Sequence, residues 1–125
     1  MELDEFTDYV SEVLDNEIPQ EIQEGLNLGV IVSPDINKCK EEQQYIIMGV
    51  YVQNRLGKQI IIYYGSFLYF YEDKSDEVWK RKILATIKHE FIHHIEALSG
   101  QEDLAKKERY EASHRKKIKK KDQEK

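Results

Sequence analysis

The run Lys88-His89-Glu90-Phe91-Ile92-His93-His94 holds the residue types best suited to chemistry. It contains His-Glu-x-x-His. On a helix, His89 and His93 stand at i and i+4, one turn apart on one face. Two imidazole nitrogens so placed can reach one small ion, and zinc takes such nitrogens at about 2.0–2.1 Å in tetrahedral geometry. Glu90 is rotated about 100° from His89. There it can take a proton from an activated water without ligating the metal, the general-base position of a metallopeptidase.

A catalytic zinc usually has three protein ligands and one water. Glu96, at i+7 from His89, shares the histidine face, but a straight helix does not wrap three ligands tightly around one ion: the outer two stand about 10 Å apart. Glu96 therefore suits a supporting or alternative role. Gly100 offers a turn, and Gln101-Glu102-Asp103 come after it. A chain bending back there returns Asp103, or alternatively Glu102, to the metal. Asp103 is the preferred ligand; its competing reading is the N-cap of a helix from residue 104 onward. His94 is about 100° from His93 and does not easily share the same ion; the roles open to it are a bond to a carboxylate or a carbonyl, a place at the cleft edge, or that of a supporting or alternative ligand. Tyr63 and Tyr64 end an apolar run, where a hydroxyl could contact substrate or an oxyanion. Packing at a strand end is the competing reading of both.

These residues need elements to position them. With His89 at 0° and about 100° per residue, Ile83, Ile87, Leu98, Phe91, Leu84 and Ile95 fall on an arc of roughly 120° to 240°. The histidines are nearly opposite it, facing a pocket or solvent. The helix is expected over 76–99, capped by Ser75 and ended by Gly100. Upstream, 2–16 reads as an amphipathic helix broken by Ile18-Pro19, and 19–26 as a short second one. Strands are expected at 29–32, 45–52 and 59–64, with 37–43 a loop and 54–58 a hairpin loop of several residues. The third strand is apolar on both faces and so expected to be covered on both. An extended peptide could pair with the sheet edge near 59–64. A short helix should occupy 67–71, with Ser66 as its cap, and another 102–120. The whole is α+β: a small sheet of three or four strands packed with helices.

The 125 residues fit one domain, assigned to 1–112, with a basic tail at 113–125 expected to fray. Eight Tyr and four Phe supply much of the bulk of the core. A single Cys39 excludes an intrachain disulfide and fits a reducing, cytoplasmic setting. The acidic start resembles no signal peptide, and no apolar run is long enough for a membrane span. Net charge is −5, unevenly spread. Of 19 Lys/Arg and 24 Asp/Glu, residues 106–125 hold ten and four, leaving nine and twenty before them. The tail lacks interleaved aromatics, which argues against base stacking, although its charge leaves nucleic acid open.

His89-Glu90-Phe91-Ile92-His93-His94, with Ile95 to Gly100 and Asp103, resembles the small bacterial zincin-like metallopeptidases, the minimal zincin group. Ile18-Pro19 with the strand after it, and Tyr63 to Phe67, extend the resemblance over roughly residues 4–112. It implies a minimal zincin-like fold, one Zn²⁺ per chain and a peptidase-type site. The stretch from His93 to Gly100 is longer than in relatives with a glycine three residues after that histidine. The function expected is hydrolysis of a peptide or protein substrate by a zinc-activated water. The alternatives are a zinc-holding module without catalysis and a metal-free interaction protein working through its basic tail.

Overall fold

The computed structural model describes residues 1–39 and 45–100, and the backbone of 115–117. The first helix, α1 (Leu3–Glu17), buries Phe6, Val10 and Val13 at helical spacing. Asp4 and Glu5 lie in its first turn, where carboxylates suit the helix dipole. The Glu2 amide donates to the Glu5 carboxylate at 3.1 Å. Ile18-Pro19 ends the helix because the residue before proline is driven out of the helical region; Ile18 is extended, at φ −116° and ψ 116°. A single turn, α2 (Gln20–Gln23), comes next.

The strands are β1 (Val30–Ser33), β2 (Asn37–Lys38), β3 (Tyr45–Ile47), β4 (Gly49–Asn54), β5 (Gly57–Tyr63) and β6 (Arg115–Lys117). Between β5 and β6 lie α3 (Tyr64–Tyr71) and α4 (Asp76–Leu98). The main sheet has the order β1-β5-β4, with β1 parallel and β4 antiparallel to β5. Its register sets Val30, Ile60 and Tyr51 in one row and Val32, Ile62 and Gly49 in the next. Strand residues two apart share a face, so both rows look the same way. Ile60 and Ile62 are wholly buried there. Helix α4 packs on β4 and β5, and α1 packs on α4. The other face carries Ile31, Ile61 and Val50 in one row, less deeply covered. A second small sheet has the order β2-β3-β6, all antiparallel.

Aromatic rings fill the end of the core where α1, α3 and α4 meet. Phe6 stands edge-on to Tyr64 and Phe67, each at 5.2 Å between ring centroids, and Trp79 stacks near Phe67 at 6.3 Å. The Trp79 indole N–H donates to the Tyr71 carbonyl at 2.7 Å, so the buried ring leaves no donor unmet.

The structure departs from the sequence expectation in several places. Asn37–Lys38, expected in a loop, pair with β3 as strand β2. The strand expected over 45–52 is two strands, divided at Met48. The 54–58 loop is a tight hairpin in which Asn54 pairs with Gly57, so only two residues turn. Strand β5 is fully buried on one face only; Ile61 and Tyr63 are half-buried on the other. Helix α3 starts directly from β5, and Ser66 lies buried inside it, its hydroxyl accepting from the Asn37 amide at 3.2 Å. Arg115–Lys117 form a strand on β3 where a helix was expected; the rest of 102–120 lies outside the described residues. No helix among the described residues is long and apolar enough to cross a membrane.

Candidate metal centre

Helix α4 begins because Ser75 caps it, its hydroxyl accepting from the Val78 amide at 3.4 Å, and Asp76 and Glu77 occupy the first turn. It runs 23 residues without Gly or Pro. Gly100, at φ +87°, then takes the left-handed conformation that side chains resist.

The buried face of α4 is not the one that apolar residues alone mark out. Trp79, Ile83, Thr86, Ile87, Glu90, Phe91, His93, His94 and Ala97 are buried. On the same wheel they span roughly 40° to 200°, an arc rotated toward the histidines. Ile95 and Leu98, expected inside, are 44% and 49% exposed. The sheet dictates this. A Cβ on Gly49 would stand 2.9 Å from the Thr86 methyl, so β4 approaches the helix on the Thr86 side. The arc passes through Glu90, whose side chain is wholly buried.

His89 and His93 sit at the rim of this buried arc. Their Nε2 atoms are 3.3 Å apart. Two nitrogens bound tetrahedrally at 2.0–2.1 Å to one zinc must be about 3.3–3.4 Å apart, so the separation suits a shared ion. The rings meet at 88° with centroids 4.8 Å apart. His93 Nδ1 lies 3.3 Å from Glu96 Oε1. A carboxylate can only accept, so Nδ1 carries the proton and donates, which leaves the Nε2 lone pair directed at His89. Glu96 thus holds the far nitrogen of His93, an arrangement that orients a metal-ligating histidine and raises its basicity. It does not contribute a carboxylate beside Nε2.

His94, one residue on, has the opposite role. Its Nε2 lies 3.0 Å from the Ile22 carbonyl and its Nδ1 2.9 Å from the Tyr51 hydroxyl. The carbonyl must accept, so Nε2–H donates to it and the tyrosine O–H donates to Nδ1. Both nitrogens are engaged and the ring is fully buried, so His94 has no lone pair for a metal. Burial, with some help from Lys58, lowers its pKa from 6.5 against the opposing bond to Ile22. Of the alternatives open to His94, the structure supplies a carbonyl bond and withdraws the ligand role. Tyr51 was not visible as its partner in the sequence, where it is only one residue of the strand expected over 45–52.

Tyr63 and Tyr64 serve other contacts. Tyr64 donates to the Met1 carbonyl at 2.7 Å and packs on Phe6 and Trp79. Burial raises the Tyr63 pKa; a bond from the Asn37 side chain opposes that and nearby Asp35 reinforces it. An oxyanion or substrate role for these hydroxyls finds no support in those partners. Glu102 and Asp103 lie outside the described residues. Among the described residues no three His, Cys, Asp or Glu side chains gather as a metal-binding group. The described site is therefore a two-histidine pair with a supporting carboxylate and an adjacent buried glutamate.

No family model matches the chain, and no curated protein does. Among solved structures the chain is similar to a conserved hypothetical protein from Thermo thermophilus, with 28% identity and a TM-score of 0.70. The match covers 80% of this chain and 99% of that one, and it supports the α+β architecture.

Proposed function

We propose that this chain is a zinc-dependent peptidase of minimal zincin type, with His89 and His93 as two ligands and Asp103 as the third. The observation that carries the reading is the 3.3 Å separation of the two Nε2 atoms, with Glu96 fixing the His93 proton on the far nitrogen. The residues present fit the metal: two imidazoles face each other through their Nε2 atoms, a donor type zinc prefers. Zinc, when bound, supplies Lewis acidity toward a peptide carbonyl and lowers the pKa of water toward ~7.

The chain's own residues do the rest. Glu90 takes the proton of the attacking water and passes it to the leaving amine. Its burial excludes bulk water from the carboxylate, which strengthens its interaction with charge developing beside it. His94 and Tyr51 fasten α4 to β4, holding the pair in register with the sheet. An extended substrate can pair only with an open sheet edge. Residues 59–64, expected to offer that edge, lie largely in the central strand β5, whose two sides are taken by β1 and β4. Among the described residues strand β4 is an edge, and it packs against α4, so the substrate is assigned to β4.

The test is Glu90→Gln in protein loaded with zinc. Hydrolysis of a quenched-fluorescent peptide library should fall by about 10²–10⁴-fold while zinc stays bound. Full activity in that variant would falsify the mechanism.

A further inference from the structure

The opposite edge of the main sheet holds a groove that the peptidase reading does not use. It lies between α1 and β1 and has a volume of roughly 580 Å³. Leu3, Leu14, Val30 and Val32 give it apolar walls, and Asp4 and Asp8 stand on its α1 side. Both carboxylates are exposed, and among the described residues neither joins an ion pair. Strand β1 pairs only with β5 among those residues, so its outer edge presents unpaired backbone groups. On the reverse face of β1, Ile31 is 44% exposed.

The geometry points to a docking site for an extended peptide segment of alternating cationic and apolar residues, added to the sheet beside β1. Three features select that occupant. An added strand takes its affinity from backbone pairing along the four residues of β1. Its side chains alternate between faces, as those of β1 do. Those turned toward α1 enter the groove, where a lysine or arginine can lay its methylenes on Val30, Val32 and Leu14 while its charged head meets Asp4 and Asp8. Those turned the other way lie beside Ile31 and favour an apolar residue. The charge of the chain agrees: residues 1–105 hold nine basic against twenty acidic residues. The molecule itself pairs a cationic strand with a sheet edge, Arg115–Lys117 on β3.

The experiment is fluorescence anisotropy of a labelled peptide of alternating lysine and valine, titrated with the full chain at low salt, with and without zinc. Saturable binding is expected under both conditions, because the groove is at the far edge from β4. Asp4→Asn with Asp8→Asn should weaken it several-fold, to about tenfold at most for exposed pairs. Both positions are exposed, so the double variant keeps the fold. Hydrogen exchange at 30–33 should slow in the complex. Equal affinity for a peptide N-methylated at alternate amides would overturn strand addition. Equal affinity for a neutral serine–valine peptide, or no change in the double variant, would overturn the cationic assignment. Slowed exchange at 49–54 in place of 30–33 would move the peptide to β4 and end the proposal, as would self-association that occupies 30–33 without peptide.

Discussion

His93 and His94 are neighbours in sequence and opposites in role. His93 stands at the rim of the buried arc of α4, with one nitrogen on a carboxylate and the other facing His89 across 3.3 Å. His94 is inside the arc, with one nitrogen on the Ile22 carbonyl and the other on the Tyr51 hydroxyl. The residue type is the same, and so is the helix. A turn of about 100° separates a candidate ligand from a core bolt. Whether a histidine can bind a metal depends on which elements the fold brings against it.

The two flanks should fail differently when altered. The largest effect is expected at the chemical step, where Glu90→Gln should cost about 10²–10⁴-fold in peptide hydrolysis. Next comes the core flank. His94→Ala takes the donor from the Ile22 carbonyl, removes the bond to the Tyr51 hydroxyl and opens a cavity, so unfolding free energy should drop by about 2–4 kcal/mol in urea titrations. Zinc stoichiometry in the folded fraction should not change. On the metal flank, Glu96→Ala should weaken zinc binding about 10–100-fold in competition with a chelating dye, with little loss of stability. The smallest effect is expected from Tyr51→Phe, about 1 kcal/mol of stability, because it removes the neutral hydrogen bond to His94 and little volume. Equal damage to zinc binding from Tyr51→Phe and Glu96→Ala would erase the distinction between the flanks.

Acid should sharpen it further. Folding lowers the pKa of His94 from 6.5, so the unfolded chain binds the proton more readily than the folded one. Stability from this group is complete above pH 6.5 and is lost as pH falls from there through the lower, folded pKa. Urea midpoints taken across that window should fall with pH in the wild type. The fall should be shallower in His94→Gln, which can still donate to Ile22 but does not titrate.

Much of the helical frame was legible in the sequence. The break at Ile18-Pro19, the Ser75 cap and the Gly100 stop are local features with local causes, and the structure has all three. The facing of His89 and His93 also comes from spacing alone. What was not legible depends on partners far along the chain. The apolar arc of α4 ignored Thr86, Glu90, His93 and His94, all of them buried, with β4 against Thr86 and both β4 and α2 against His94. Nothing near Gly49 in sequence announces that Thr86 lies against it. Placing β5 at the centre of the sheet likewise required knowing that β1 pairs with it, Val30 beside the distant Ile60.

The most direct test is zinc content per chain by elemental mass spectrometry, on untagged protein purified without chelator. Wild type, His93→Ala and His94→Gln should be compared side by side. The metal-site reading predicts about one zinc per chain in the wild type, none in His93→Ala, and about one again in His94→Gln. Zinc retained in His93→Ala, or absent from the wild type after zinc is added back, would contradict it.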